Sequence, residues 1–124
     1  MISKYFKKIE KILDDYNHIV EDYIINKQTF TLEKGAIESE VFFNDNSQLD
    51  FNEVVNTNQM NKQKYSYHYM NENKEMIFRY DNVQHHREIK TFPHHKHLEK
   101  EIVESSEPDL EKVLEEIEKI ILNS

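Results

Sequence analysis

Hydrophobic and polar residues alternate along this chain with two different periods. Near the N-terminus Ile2, Phe6, Ile9, Leu13 and Tyr16 recur every three or four residues, the spacing of one helical face. They predict a helix to about Asp15, with Ser3 as its cap. Leu110, Val113, Leu114, Ile117, Ile120 and Ile121 form a second such stripe, with Glu and Lys opposite. Ser106 and Asp109 are spaced as a capping box, Pro108 suits a turn that needs no N–H, and Glu107 suits the positive end of the dipole. This helix is therefore expected to start near residue 107. The stretch IVEDYII over 19–25 is β-branched and aromatic, and predicts a strand.

Between the helices the period is two. In AIESEVFF the residues Ile37, Val41 and Phe43 share parity, as do Leu49, Phe51 and Val55 in QLDFNEVV. A loop at Asp45-Asn46-Ser47 predicts a hairpin with Phe43 opposite Leu49 and Val41 opposite Phe51, Asn46 or Ser47 taking the left-handed position. Lone Gly35 marks a bend or bulge just before it. In KYSYHYMNENKEMIFRYD a turn at Glu72-Asn73 sets Tyr69 against Met76, Tyr67 against Phe78 and Tyr65 against Tyr80. That register makes the tyrosine stripe core and puts His68 beside Ile77, Ser66 beside Arg79 and Lys64 beside Asp81 on the other face. Glu53 has core parity, where a carboxylate is costly to bury unless paired, so the strand end is expected to turn it towards solvent. The architecture implied is α+β: an antiparallel meander of about five strands, with the N- and C-terminal helices packed on one face.

Composition narrows the class. Of 124 residues 37% are hydrophobic and 32% charged, which suits one globular domain over 1–124. There is no cysteine, which excludes disulfides, thiolate metal sites and cysteine nucleophiles. No apolar run approaches a membrane span, and charges interrupt the start where a signal peptide needs an apolar stretch, so a cytoplasmic protein with no membrane contact is expected.

The net charge of −8 argues against non-specific binding of duplex DNA, which rests on many Lys/Arg–phosphate contacts. Residues 85–100 are the exception, with four Lys/Arg against two acids and five of the seven histidines, whereas residues 101–124 carry two against eight. The acidic C-terminal block suits a basic protein partner.

Candidate chemistry concentrates between His68 and His97. Arg79 can hold a phosphoryl group, Asp81 can orient an imidazole, and His68, His85, His86, His94, His95 and His97 can exchange protons. These are the components of metal-independent phosphodiester cleavage, with RNA the easier target because of its 2′-hydroxyl. The same residues have plainer readings. Arg79 and Asp81 suit an exposed ion pair, the 85–86 pair a solvated loop, and His18 a surface or cap position. His94, His95 and His97 could ligate zinc, since on a strand His95 and His97 would share a side, and a nearby Asp81 could add an oxygen.

The words KYSYHY, MIFRYDN, HH, TFPHHKH and PDLEKVLEEIEKII, in this order, resemble the TumE-like family of small proteins, toxin components of prokaryotic toxin–antitoxin modules. The resemblance spans residues 35–121 and is strongest over 64–97. It implies a cytoplasmic toxin silenced by a helix-turn-helix antitoxin. Asn46 and Asn73 stand where the family tends to have turn glycines, and Gln84 where a proline often precedes the histidine pair; Arg79, Asp81, His85, His86, His95 and His97 match. Nuclease activity is read from residue types rather than from the resemblance. The expected protein is a toxin acting on RNA as a metal-independent ribonuclease, without cofactor or metal. Arg79 would bind phosphate, His95 or His97 serve as acid or base, Asp81 orient an imidazole, and His86 or His68 complete the site. A non-catalytic module that binds RNA or a target protein, and a metal-dependent nuclease or nucleotide-modifying enzyme, are the alternatives.

Overall fold

The computed structural model describes residues 1–82 and 94–123. Helix α1 (Ile2–Asp15) is followed by strands β1 (Val20–Thr29), β2 (Lys34–Phe43), β3 (Gln48–Asn56), β4 (Lys64–Met70), β5 (Met76–Asp81), β6 (His95–His97) and β7 (Ile102–Glu104), then by helix α2 (Leu110–Leu122). All strands are antiparallel and sit in sheet order β1 to β7. The α+β meander is as expected, but the sheet has seven strands among the described residues rather than about five. The two additional strands have three residues each, too few for an alternating pattern to stand out. No described helix is long and apolar enough to cross a membrane.

Both helices lay their apolar stripes on one face of the sheet. Ile2, Phe6, Ile9 and Leu13 of α1, with Leu110, Val113, Leu114 and Ile117 of α2, join the inward residues of β2 to β5 in one core. The helix starts differ from expectation. Ile2 is already helical, and its N–H is capped by the Leu32 carbonyl at 2.9 Å, so Ser3 is no cap. The second helix begins three residues late because Asp109 caps it, Oδ1 accepting from the Lys112 N–H at 2.9 Å. Glu107 instead accepts the Lys62 N–H at 3.0 Å. Gly35 is neither bend nor bulge. It pairs regularly with Thr29 and Val55, and an added Cβ would lie 2.6 Å from the Gln28 carbonyl oxygen and 2.8 Å from Ile2 Cγ1. Its bare backbone lets α1 approach the sheet.

The faces are as the pattern predicts, but both hairpin registers differ by two residues, an even slip that preserves them. Val41 pairs with Leu49, and Asn46 takes the left-handed conformation at φ 70°. In the next hairpin Tyr69 pairs with Phe78 and Tyr67 with Tyr80, while an irregularity between Tyr69 and Met70 widens the turn. There Lys74, not Asn73, is left-handed at φ 66°. On the other face the same shift places His68 opposite Arg79 and Ser66 opposite Asp81. Glu53 also departs from expectation. It is fully buried and accepts hydrogen bonds from Tyr5 Oη and Tyr67 Oη, one from α1 and one from β4. Those two phenols supply the pairing that makes its burial tolerable.

Candidate active site

The site grows from strand alternation at β5 and β6. Tyr80 and Lys96 pair across the strands and point towards α2, where Tyr80 Oη donates to Glu116 Oε1 at 2.6 Å and Lys96 Nζ donates to Glu116 Oε2 at 2.8 Å. Lys96 Nζ also stands 5.0 Å from the Phe78 ring centre and 4.9 Å from that of Tyr80, a cation–π arrangement. One carboxylate thus clamps both strands. Alternation then sends Arg79, Asp81, His95 and His97 to the opposite face, which carries neither described helix. Arg79 pairs with His97 and Asp81 with His95. At the β4 end, Asn82 Oδ1 accepts the Tyr65 N–H at 3.0 Å, extending the strand contact one residue past Asp81.

Asp81 is the hub. Oδ1 stands 2.6 Å from His95 Nε2, and Oδ2 stands 3.0 Å from both His97 Nε2 and Arg79 Nε. A guanidinium nitrogen of Arg79 is 3.2 Å from the same His97 Nε2. The two imidazoles meet edge to face, with ring centres 4.8 Å apart. Asp81 and His95 are only 2% and 1% exposed, whereas the Arg79 side chain is 37% exposed, so the cation forms the accessible rim over a buried base. The plain surface ion pair is therefore a poor description of Asp81, and His95 belongs to the interior.

Burial, and then the neighbouring Arg79 cation, push the His97 imidazole below its ordinary pKa, although Asp81 pulls the other way. His68 is lowered by burial and then by Arg79, with Asp50, its partner on β3, acting in the opposite sense. Both rings are thereby favoured as neutral acceptors at pH 7.

Of the six expected site residues, His68, Arg79, Asp81, His95 and His97 share one face in adjacent strands. His86 lies outside the described residues, as do His85 and Gln84. His94 points to the other face, where its Nδ1 is 2.8 Å from Tyr65 Oη and the two rings stack. Sequence reasoning passed over the polar row that leads into the cluster. Asn26, Glu38, Asn52, Ser66, Asp81 and His95 are successive cross-strand partners from β1 to β6. Correct hairpin registers would have revealed it. A hollow of about 380 Å³, lined in part by Asn26, Glu38, Asn52 and Lys64, borders this row.

A model of the toxin TumE family matches residues 9–121 of this chain. The chain belongs to that family. The match begins earlier than the resemblance read from individual words, taking in the second half of α1 and all of β1 as well as the cluster strands. A toxin TumE chain therefore carries its Arg–Asp–His constellation within the matched span. Searches of curated proteins and of solved structures gave no match.

The donor atoms of Asp81, His95 and His97 all lie within 4.8 Å of one another, so these three residues also have the composition and spacing to hold a metal ion. The Arg79 guanidinium, however, stands against Asp81 Oδ2 and His97 Nε2, two of the atoms open to such an ion.

Proposed function

We propose that this toxin is a metal-independent ribonuclease acting in the cytoplasm, with Arg79, His97 and His68 as its catalytic residues and Asp81 and His95 positioning them. The observation that carries the reading is the 3.2 Å approach of the Arg79 guanidinium to His97 Nε2, above the buried Asp81. A fixed cation beside a neutral imidazole is what attack of a 2′-hydroxyl on an adjacent phosphodiester requires.

In this scheme Arg79 binds the scissile phosphate through its outer N–H groups. His97 takes the proton of the 2′-hydroxyl as its oxygen bonds to phosphorus. In the minor fraction of molecules in which it is protonated, His68, directly across from Arg79, gives that proton to the 5′-oxygen as the P–O5′ bond breaks. The products are a 2′,3′-cyclic phosphate and a free 5′-hydroxyl. The carboxylates Glu38, Glu40 and Asp50 on the neighbouring strands disfavour phosphate elsewhere on this face and confine the backbone to the Arg79 end. Asn26, Asn52 and Ser66 offer hydrogen bonds to unpaired bases along the row.

Toxin status calls for a silencing partner. A helix-turn-helix antitoxin with a basic surface is the partner that the acidic C-terminal block suits.

The deciding experiment is cleavage of single-stranded RNA by partner-free protein in excess EDTA. Cleavage with a bell-shaped pH profile, reduced roughly 10²-fold or more by Arg79→Ala, is the expected result. Activity abolished by EDTA and restored by Zn²⁺ or Mn²⁺ would establish a metal-dependent enzyme instead. No cleavage of any RNA, with growth arrest intact in cells, would establish the non-catalytic binding module.

A further inference from the structure

We propose that Asp81, His95 and His97 form a zinc-type cation site in which the metal and the Arg79 guanidinium are alternative occupants, so that zinc inhibits this toxin. The inhibitory half rests on the ribonuclease reading; the binding half does not.

Two imidazole nitrogens and a carboxylate oxygen are a common zinc donor set. Here the backbone pre-arranges them: His95 and His97 are two apart on β6 and share a face, and Asp81 is the cross-strand partner of His95. Asp81 Oδ1 stands 2.6 Å from His95 Nε2 and Oδ2 3.0 Å from His97 Nε2, and one donor atom from each residue lies within 4.8 Å of the others, against the roughly 3.3 Å between ligands bound tetrahedrally at about 2.0–2.2 Å. An ion entering between them needs only small shifts of the three side chains. Asp81 and His95 are locked in the interior, whereas Arg79 is on the rim and is the part able to leave.

The two cations cannot share the cradle. Oδ2 of Asp81 and Nε2 of His97 are the atoms that Arg79 contacts, and an ion on those atoms would sit within a few ångströms of the guanidinium. Mutual repulsion at that distance in a partly buried site expels the group with the freer tether. Zinc bound here therefore removes the proposed phosphate-binding cation and fills the lone pair of the proposed base in one event.

The test titrates ZnCl₂ into metal-free, full-length protein by calorimetry, without RNA. One-to-one binding is expected, weakened by His97→Gln by more than the roughly 10–100-fold that loss of a supporting partner costs. Arg79→Gln should tighten binding by about tenfold or more, because the competing charge is gone. Co²⁺ in place of zinc should give the visible absorption of a tetrahedral site in the wild type and in Arg79→Gln, and not in His97→Gln. Circular dichroism confirms that each variant is folded, and Arg79→Gln alone decides the competition should His97→Gln unfold. Unchanged or weaker zinc binding by Arg79→Gln would overturn the shared cradle, and so would full retention by a folded His97→Gln. With RNA present, zinc should halt EDTA-resistant cleavage at the concentration that fills the site. Stimulation by zinc would overturn inhibition while leaving the site itself standing. A protein that binds zinc as described but cleaves no RNA refutes the ribonuclease reading alone.

Discussion

Asp81 and His95 face one another across β5 and β6, Oδ1 to Nε2 at 2.6 Å, and both side chains are essentially inaccessible. The contact is thus as much part of the fold as of the site. His95→Ala is expected to cost stability by at least the ~1–3 kcal/mol of a stranded buried polar group. Denaturant melts check this; a loss below about 0.5 kcal/mol, the range of ordinary surface substitutions, would show that the pair carries no structural weight.

Arg79 tunes its neighbours. Because burial and then its charge lower both His68 and His97, Arg79→Gln should raise the pKa of each ring and move the acid limb of any activity profile to higher pH. NMR titration of the imidazole protons in metal-free buffer reads the shift independently of cleavage. Rings that titrate as in the wild type would mean that the guanidinium does not sense them.

Glu53 gives a pH dependence of the opposite kind. Burial raises its carboxyl, against the pull of Lys62 and of the hydrogen bonds from Tyr5 and Tyr67, with Asp109 adding to the rise. A group with a folded pKa above its unfolded one costs stability as pH climbs from the unfolded value through the folded one, because the unfolded chain releases the proton first. Wild type should therefore lose stability over that window and Glu53→Gln should not. Melts at mildly acidic and mildly alkaline pH give the comparison, and parallel behaviour of the two proteins would refute it. Tyr67→Phe, which leaves one carboxylate oxygen without its phenol, should cost about 1–3 kcal/mol.

Gly35→Ala should destabilise by about 1–3 kcal/mol, since its new methyl would meet the Gln28 carbonyl at 2.6 Å and Phe6 Cζ at 2.9 Å. Loss of α1 protection in hydrogen exchange would locate the damage. A neutral or stabilising effect would mean that helix and strand can part there freely.

Association with a basic antitoxin should slow as salt rises, because α2 turns Glu111 and Glu115 to solvent within the acidic block. Rates unchanged between about 50 and 500 mM salt would exclude electrostatic steering.

Much of this was legible in residue order, and the rest failed for definite reasons. Both helices and the inward parity of β2 to β5 follow from period alone, because burying one face enforces it. Register was not legible to better than two residues, since Tyr67 meets an aromatic ring at either Phe78 or Tyr80, and the irregularity at Met70 chose between them. That choice set His68 against Arg79 instead of Ile77. Arg79 and Asp81 were visible as neighbours in sequence, but their union with His95 and His97 depends on a strand pair three residues long. Glu53 carried a visible conflict, a carboxylate at a core position, and its resolution by Tyr5 required knowing where α1 lands.

The order of the sheet has a consequence for when the toxin becomes active during its own synthesis. Each strand pairs with the one made just before it, so the sheet can be laid down hairpin by hairpin as the chain leaves the ribosome. The Arg79 cluster joins only at β5 and β6, and Glu116, which ties those two strands to α2, emerges some twenty residues after His95. Nascent chains shorter than this lack the Glu116 contacts that hold β5 and β6 to α2. The two strands that carry most of the candidate site are therefore tied down only late in synthesis, once α2 has been made.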